Sequence, residues 1–313
     1  MTPQLDVLTI GEPLVLFAAQ QPGALDTVTA FTRSAAGAEL NVATGLARLG
    51  MRVGYLSRLG DDSFGHFLTG VMAREGIDPS QVLLDRAHPT GFMLKSRSDD
   101  GSDPRIEYFR RGSAASHMQT ADLNPAACAT ARHLHLTGIF VAVSASTRAL
   151  VFELAEQARA RGQTLSFDPN LRPSLWPSTA AMVETLNALS RHADWVLPGL
   201  AEGQLLTGRE RPEAIADFYL ERGARGVAVK LGAEGAYLAT ATTRRHLPGV
   251  PVARVVDTVG AGDGFAAGLI SGLLEGLPAE AAVARGNAIG ARVVQFPGDS
   301  EGLPTRAELG LPG

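Results

Sequence analysis

The stretch that most constrains this chain is Val255-Val256-Asp257-Thr258-Val259-Gly260-Ala261-Gly262-Asp263-Gly264-Phe265. It reads as the end of a buried strand, a glycine turn and the start of a helix. Gly260 and Gly262 accept backbone angles that other residues resist, and they let a ligand approach closely. Beyond them Ala266, Leu269, Ile270, Leu273, Leu274 and Leu277 recur at the spacing of a core-facing helical stripe. The N–H groups of Gly260, Ala261 and Gly262 are therefore expected at a helix N-terminus, where outward-pointing donors and the positive end of the dipole bind anions. Asp263 sits inside that anion site. A carboxylate there repels a bound phosphate, unless its task is to take the proton from a hydroxyl that attacks the phosphate. The plainer reading is a helix with an acid in its first turn, where acids are common.

The rest of the chain reads as alternating strands and helices. Residues 5–10 form an apolar run ending at Gly11, a buried strand. Residues 13–33 carry Leu14, Leu16, Val28 and Phe31 between glycines and prolines, and read as short half-exposed strands. A helix follows with Leu40, Ala43 and Ala47 on its apolar face, stopped by Gly50. Residues 51–59 are the next strand, with a helix to about residue 75. Residues 90–95 and 105–110 read as strands around the polar turn 99–103. With 13–33 they make a small second sheet. Alternation puts Ile106, Tyr108 and Arg110 on one face, to hold a polar ligand or to stand as a solvated edge. From Arg132 onward, strands 134–136, 164–167, 195–197 and 226–231 alternate with helices 147–161 and 180–190. Pro278 opens the last long helix. This order predicts one α/β domain over 1–313, with a mostly parallel sheet covered on both faces and ligands beyond the carboxyl ends of its strands.

Bulk properties narrow the function classes. The chain has 313 residues, 45% of them apolar, and a net charge of −4, so no general attraction to nucleic acid or an anionic membrane is expected. No apolar run reaches the roughly 20 residues of a membrane span. The first residues lack the basic start and apolar stretch of a signal peptide. Cys128 is the only cysteine, which rules out an intrachain disulfide and suits a reducing, cytoplasmic setting. There is no G-x-x-x-x-G-K-[ST] run, and no G-x-G-x-x-G after the first strand. His133 and His135 alternate along a strand with nothing nearby to complete a metal set. Three strand ends carry candidate chemistry. Asp168-Pro169-Asn170-Leu171-Arg172 offers a guanidinium suited to a carboxylate or phosphate. Glu202 follows the next strand, as a ligand or as a first-turn helix acid. Lys230-Leu231-Gly232-Ala233-Glu234-Gly235 is a ligand loop or a glycine hairpin.

The run from Asp257 to Phe265 closely resembles the C-terminal signature of the ribokinase-like (PfkB) carbohydrate kinases. Gly37-Ala38-x-x-Asn41, Ala43-x-x-Leu46-Ala47-x-Leu49-Gly50 and Gly60-Asp61-Asp62-x-x-Gly65 resemble its N-terminal signature. The resemblance implies a ribokinase-like doubly wound sheet with a β lid built from about 13–33 and 90–111. It implies Asp263 as catalytic base, the Gly260, Ala261 and Gly262 amides as anion hole, and Gly37 to Asn41 along the sugar site. It implies Lys230, Gly232, Gly235, Asn170 and Asn287 toward the nucleotide, and Glu202 toward magnesium through water, although Gly199 replaces the family's Asn. Within the family, the run 108–114, with 168–172 and 298–302, is most similar to the kinases of 2-keto-3-deoxygluconate. There the counterparts of Tyr108, Arg110, Arg172 and Asp299 contact the sugar acid. Met93 stands where such kinases often carry a lid tyrosine, and it offers no hydrogen-bond donor. The implied activity is ATP-dependent phosphorylation of that sugar acid with Mg2+, with a monovalent cation left open. The alternatives are a fructokinase or ribokinase-type enzyme, or a sugar-binding protein without catalysis. The lid implies a homodimer or higher homo-oligomer as the open question of assembly.

Overall fold

The structure is a computed structural model that describes residues 5–97 and 104–312. In chain order the strands are β1 Val7–Ile10, β2 Leu14–Pro22, β3 Phe31–Ala36, β4 Val53–Gly60, β5 Ile77–Asp85, β6 Phe92–Arg97, β7 Ile106–Phe109, β8 His133–Thr137, β9 Thr164–Asp168, β10 Trp195–Val196, β11 Gly226–Lys230, β12 Gly235–Thr240 and β13 Arg244–Pro248. Nine of them form one sheet in the order β13-β12-β11-β10-β9-β8-β1-β4-β5, and β3-β2-β6-β7 form a second. From β5 to β11 all pairings are parallel, and β11, β12 and β13 close the edge as antiparallel hairpins. The chain winds from β1 outward through β4 and β5, then returns to β8 on the other side of β1 and winds away through β9 to β11. That reversal opens a crevice at the carboxyl ends of β1 and β8, the place where ligands enter sheets of this kind.

Each face of the large sheet is covered by helices whose apolar stripes supply a core. On one side Leu150 and Leu154 of helix Ala145–Ala160, Met182 and Leu186 of helix Thr179–Ser190, and Ile215 meet Leu134, Leu136 and Phe167. On the other, Leu40 and Leu46 of helix Ala38–Arg48 and Phe265, Leu269 and Ile270 of helix Ala261–Leu274 meet Tyr55, Leu59 and Leu238. Helix Ala261–Leu274 is buried from Asp263 through Gly272, on all sides rather than along one stripe. Gly268 and Gly272 permit this: a Cβ on either would lie 2.8 or 2.9 Å from backbone atoms of helix Ala279–Val293. A helix hydrophobic all round is a core helix, and here it anchors the glycine turn at its N-terminus.

Several expectations change. Val255 and Val256 do not end a buried strand; they are exposed, in a loop held by N–H donation from Val256 and Asp257 to the Val294 carbonyl at 2.7 and 3.3 Å. The β-branched pair suits a strand locally, but β13 already forms that edge of the sheet and ends at Pro248. Strand β5 has no clear pattern in the sequence because Asp78, Pro79 and Ser80 break its apolar run, which an edge strand tolerates. Residues 230–235 turn β11 into β12 as an antiparallel hairpin. The polar turn 99–103 lies outside the described residues. Among the described residues no helix is long and apolar enough to cross a membrane.

Candidate active site

The glycine turn sets the site. Gly260 is the N-terminal cap of helix Ala261–Leu274, with φ 81°. A Cβ there would lie 2.2 Å from the carbonyl oxygen of Asp299, so only glycine fits. Upstream, Asp257 Oδ1 accepts the Val259 N–H at 3.1 Å and shapes the approach to the turn. Gly260 and Gly262 line a cavity of about 270 Å³. Ala261 stands off the cavity wall, and its N–H donates to the Thr258 carbonyl at 3.4 Å.

Asp263 follows, buried in the first helical turn, and its Oδ2 accepts a hydrogen bond from Asn41 Nδ2 at 2.8 Å. Asn41 comes from the first turn of helix Ala38–Arg48, just after Gly37, so the two signature segments meet in one contact. Burial pushes the Asp263 carboxyl up to about 8; the Asn41 hydrogen bond opposes this, Asp168 and Asp299 reinforce it, and Lys230 opposes it. A carboxylate so destabilised is an effective proton acceptor.

Asp168 ends β9 and Lys230 ends β11, and Lys230 Nζ donates to Asp168 Oδ2 at 2.6 Å. The same ammonium lies 3.4 Å from where a Cβ on Gly262 would stand, which aims it at the anion turn. Burial raises Asp168 to about 6 against the pull of Lys230. Burial alone would lower Lys230, but Asp168 and Glu202 outweigh it and hold the lysine above its ordinary value. Lys230 thus stays charged at neutral pH. After Asp168 the chain turns through Asn170, the one described non-glycine residue with positive φ, 38°. Asn tolerates that conformation, and its N–H donates to Asp168 Oδ1 at 3.3 Å. The turn brings Arg172 to the cavity, where Nη1 donates to the Leu171 carbonyl at 2.9 Å and the guanidinium forms no direct ion pair with any described residue, its charge acting at longer range on Asp299.

Glu202 also lines the cavity, with Oε1 accepting from the Leu171 N–H at 2.8 Å and Oε2 from the Gly199 N–H at 2.7 Å. It is both a helix-capping acid and a wall of the site. Asp299 is buried with Oδ1 lacking a hydrogen-bond partner, and burial raises it to about 6 against the pull of Lys95.

The small sheet roofs the cavity. Met93, Ile106 and Tyr108 line it, with Met93 opposite Tyr108 across β6 and β7. Arg110 lines it too, but its Nε donates to Glu12 Oε2 at 2.6 Å and a second N–H reaches the same carboxylate. The Ser113 hydroxyl donates to the other Glu12 oxygen. Glu12 was not singled out from the sequence. Its one signal is position: a lone acid directly after the first buried strand, at the carboxyl end of β1. Glu39, buried at the cavity and accepting from the Thr137 hydroxyl, likewise carries no signal beyond its position two residues before Asn41. Gly232, Gly235 and Asn287 do not line the cavity. Gly235 packs against the backbone of 247–249, and Asn287 Nδ2 donates to the Leu247 and Pro248 carbonyls at 3.2 and 3.0 Å. Among the described residues no three His, Cys, Asp or Glu side chains converge as a metal cage. The carboxylates of Glu202 and Asp168 are hard oxygen donors of the kind Mg2+ takes beside phosphate oxygens and water.

Comparison with known proteins agrees with this geometry. The pfkB family carbohydrate kinase profile matches residues 4–306. The chain is 52% identical over 307 residues to the 2-dehydro-3-deoxygluconokinase of Bacillus subtilis (strain 168), covering 98% of this chain and 94% of that one. The crystal structure of a PfkB protein from Polaromonas sp. JS666 superposes with a TM-score of 0.92 at 51% identity, covering 98% and 99% of the two chains. A putative ribokinase II from E. coli, in complex with ATP and Mg2+, superposes with a TM-score of 0.91 at 27% identity over 98% of each chain.

Proposed function

The chain belongs to the pfkB family of carbohydrate kinases, and from that premise we propose that it transfers the γ-phosphoryl group of ATP to the primary hydroxyl of 2-keto-3-deoxygluconate, giving 2-keto-3-deoxy-6-phosphogluconate. One observation carries the reading: Asp263, at the head of an anion-binding turn, shares a cavity with Arg172, a guanidinium with no ion-pair partner among the described residues. The first is what phosphorylating a hydroxyl needs, and the second is what an acid sugar needs. The relative from Bacillus subtilis supports the choice of sugar, and the neighbour with ATP and Mg2+ supports the donor.

In the proposed step the hydroxyl oxygen bonds to the γ-phosphorus as the bond to the bridging oxygen breaks, and ADP leaves. Asp263 takes the hydroxyl proton, with Asn41 holding the carboxylate in line. The Gly260 and Gly262 amides and the Lys230 ammonium stabilise charge on the transferring oxygens. The transition state is loose, so positioning and electrostatics supply most of the rate. Arg172 binds the sugar carboxylate through two parallel N–H groups, with Tyr108 beside it. Arg110 offers only the N–H groups that Glu12 leaves free. Mg2+, held by the nucleotide phosphates with Glu202 and Asp168 nearby, would neutralise phosphate charge. The adenosine end lies beyond Lys230, toward Gly232, Gly235 and Asn287. The small sheet acts as a lid that excludes water and so suppresses hydrolysis of ATP. Its exposed Tyr108 and Phe109 make it the surface for a second copy of the chain, which size-exclusion chromatography tests. A cytosolic location suits a reaction that consumes ATP.

The deciding experiment is ATP consumption with Mg2+ and either 2-keto-3-deoxygluconate, fructose, ribose or no sugar. Turnover is expected with the keto-deoxy acid above the others. A preference for fructose or ribose would remove the carboxylate role of Arg172. No turnover with any of them would return the chain to a sugar binder without catalysis.

A further inference from the structure

The chain has two lysines, Lys95 and Lys230, and both come close to the Gly260–Gly262 turn, Lys230 beside Gly262 and Lys95 at Asp257 and Asp299. Lys230 approaches from the large sheet. Lys95 approaches from β6 of the small sheet and is buried. Its Nζ donates to Asp257 Oδ2 at 2.5 Å and lies 3.9 Å from Asp299 Oδ1. Those two acids frame the turn. Asp257 holds the Val259 N–H with its other oxygen, and the Asp299 carbonyl lies against the bare face of Gly260. Lys95 therefore joins the segment entering the turn to the segment packed behind it.

The same strand reaches the sugar side. Strand alternation points Met93 and Lys95 to one face, about 7 Å apart along β6. Met93 lines the cavity. A rigid strand thus touches the sugar pocket with one side chain and the phosphoryl turn with the next on that face. We infer that Lys95 is a positioning residue that couples seating of the small sheet over the sugar to the anion-binding form of the Gly260 turn. The inference rests on the kinase reading above and adds to it a source of synergy between the two substrates. Without the ammonium, two carboxylates beside the turn would face an incoming phosphate uncompensated.

The test uses the full chain with Lys95→Met, which keeps the aliphatic stem, and Lys95→Met with Asp257→Asn, which leaves no acid at that position stripped of its partner. Calorimetric titration of the β,γ-imido analogue of ATP with Mg2+, with and without saturating 2-keto-3-deoxygluconate, reads the coupling directly. The wild type is expected to bind the analogue several-fold more tightly with the sugar present, within the usual range of about 5 to 150-fold. Lys95→Met should weaken analogue binding by about tenfold or more while sugar binding alone moves by less than about threefold. The double variant should recover analogue affinity, yet its coupling ratio should fall to about one and its kcat stay roughly tenfold or more below wild type. A merely structural ion pair would restore both. Unchanged analogue affinity in Lys95→Met, no coupling in a wild type that binds the sugar, or intact coupling in the double variant would each overturn the inference. A wild-type protein that ignores the acid sugar sinks the substrate reading instead, and the inference then stands or falls on the analogue affinity of Lys95→Met.

Discussion

Asp263 concentrates the chemistry at the scale of a single residue. Asp263→Asn keeps the shape and the contact to Asn41 but cannot take a proton. Turnover should fall roughly 10³-fold while sugar binding survives, as steady-state kinetics and a binding titration would read. The raised carboxyl also fixes a pH dependence. The base must be ionised, so kcat/KM should climb with pH, stand at about half its plateau near pH 8 and level off only above it. Stability runs the other way. A carboxyl whose folded value of about 8 exceeds its unfolded value near 4 binds its proton more tightly when folded. Its contribution is fully present below about pH 4 and is lost as pH rises toward 8. Asp263→Asn should therefore melt higher than wild type at pH 8 and nearly level with it at pH 4. The role of Asp263 could be read from an acid inside a glycine turn. Its elevated proton affinity could not, because burial and the neighbours Asp168 and Asp299 come from other strands and loops.

Two short elements test how local chemistry holds the site. Asp62 caps helix Ser63–Arg74, accepting the Phe64 and Gly65 N–H groups at 3.0 and 2.8 Å with one oxygen and the Thr90 N–H at 2.8 Å with the other. Asp62→Ala should cost about 1–2 kcal/mol, read as a fall of several degrees in Tm, with kcat of the folded enzyme little changed. The Gly60-Asp61-Asp62-x-x-Gly65 signature is thus a structural clasp beside the small sheet. Gly260→Ala meets both a positive φ and the Asp299 carbonyl, so it should cost about 1–3 kcal/mol and abolish most turnover together. Helix and turn signals of this kind are local in sequence, and the elements they predict are present: helices Ala38–Arg48, Ala145–Ala160 and Ala261–Leu274 begin close to their expected starts. The exposed Val255 and Val256 mark the opposite case, where local propensity for a strand met no free neighbour to pair with.

Across the whole molecule, ion pairs join segments that lie far apart in the chain. Arg110 reaches Glu12 across 98 residues, Lys95 reaches Asp257 across 162, and Lys230 reaches Asp168 across 62. Arg110→Met strands the buried Glu12 carboxylate, so thermal or urea unfolding should show a loss of about 3–5 kcal/mol. Adding Glu12→Gln should recover most of it, and an additive pair would refute the coupling. Local physics made four features readable in the chain before any fold was known: the α/β alternation, the glycine turn, its acid, and the guanidinium after β9. Periodicity, turn chemistry and helix ends act over a few residues, so they are visible without a fold. Which charges answer one another depends instead on how the folded elements meet. The fold paired Arg110 with Glu12 and left Arg172 without a direct ion-pair partner among the described residues. It also brought Asp168 and Asp299 close enough to Asp263 to raise the proton affinity of that carboxyl. Those outcomes depend on distances between strand ends that the reversal of winding beside β1 brings together, and no short stretch of sequence carries that information.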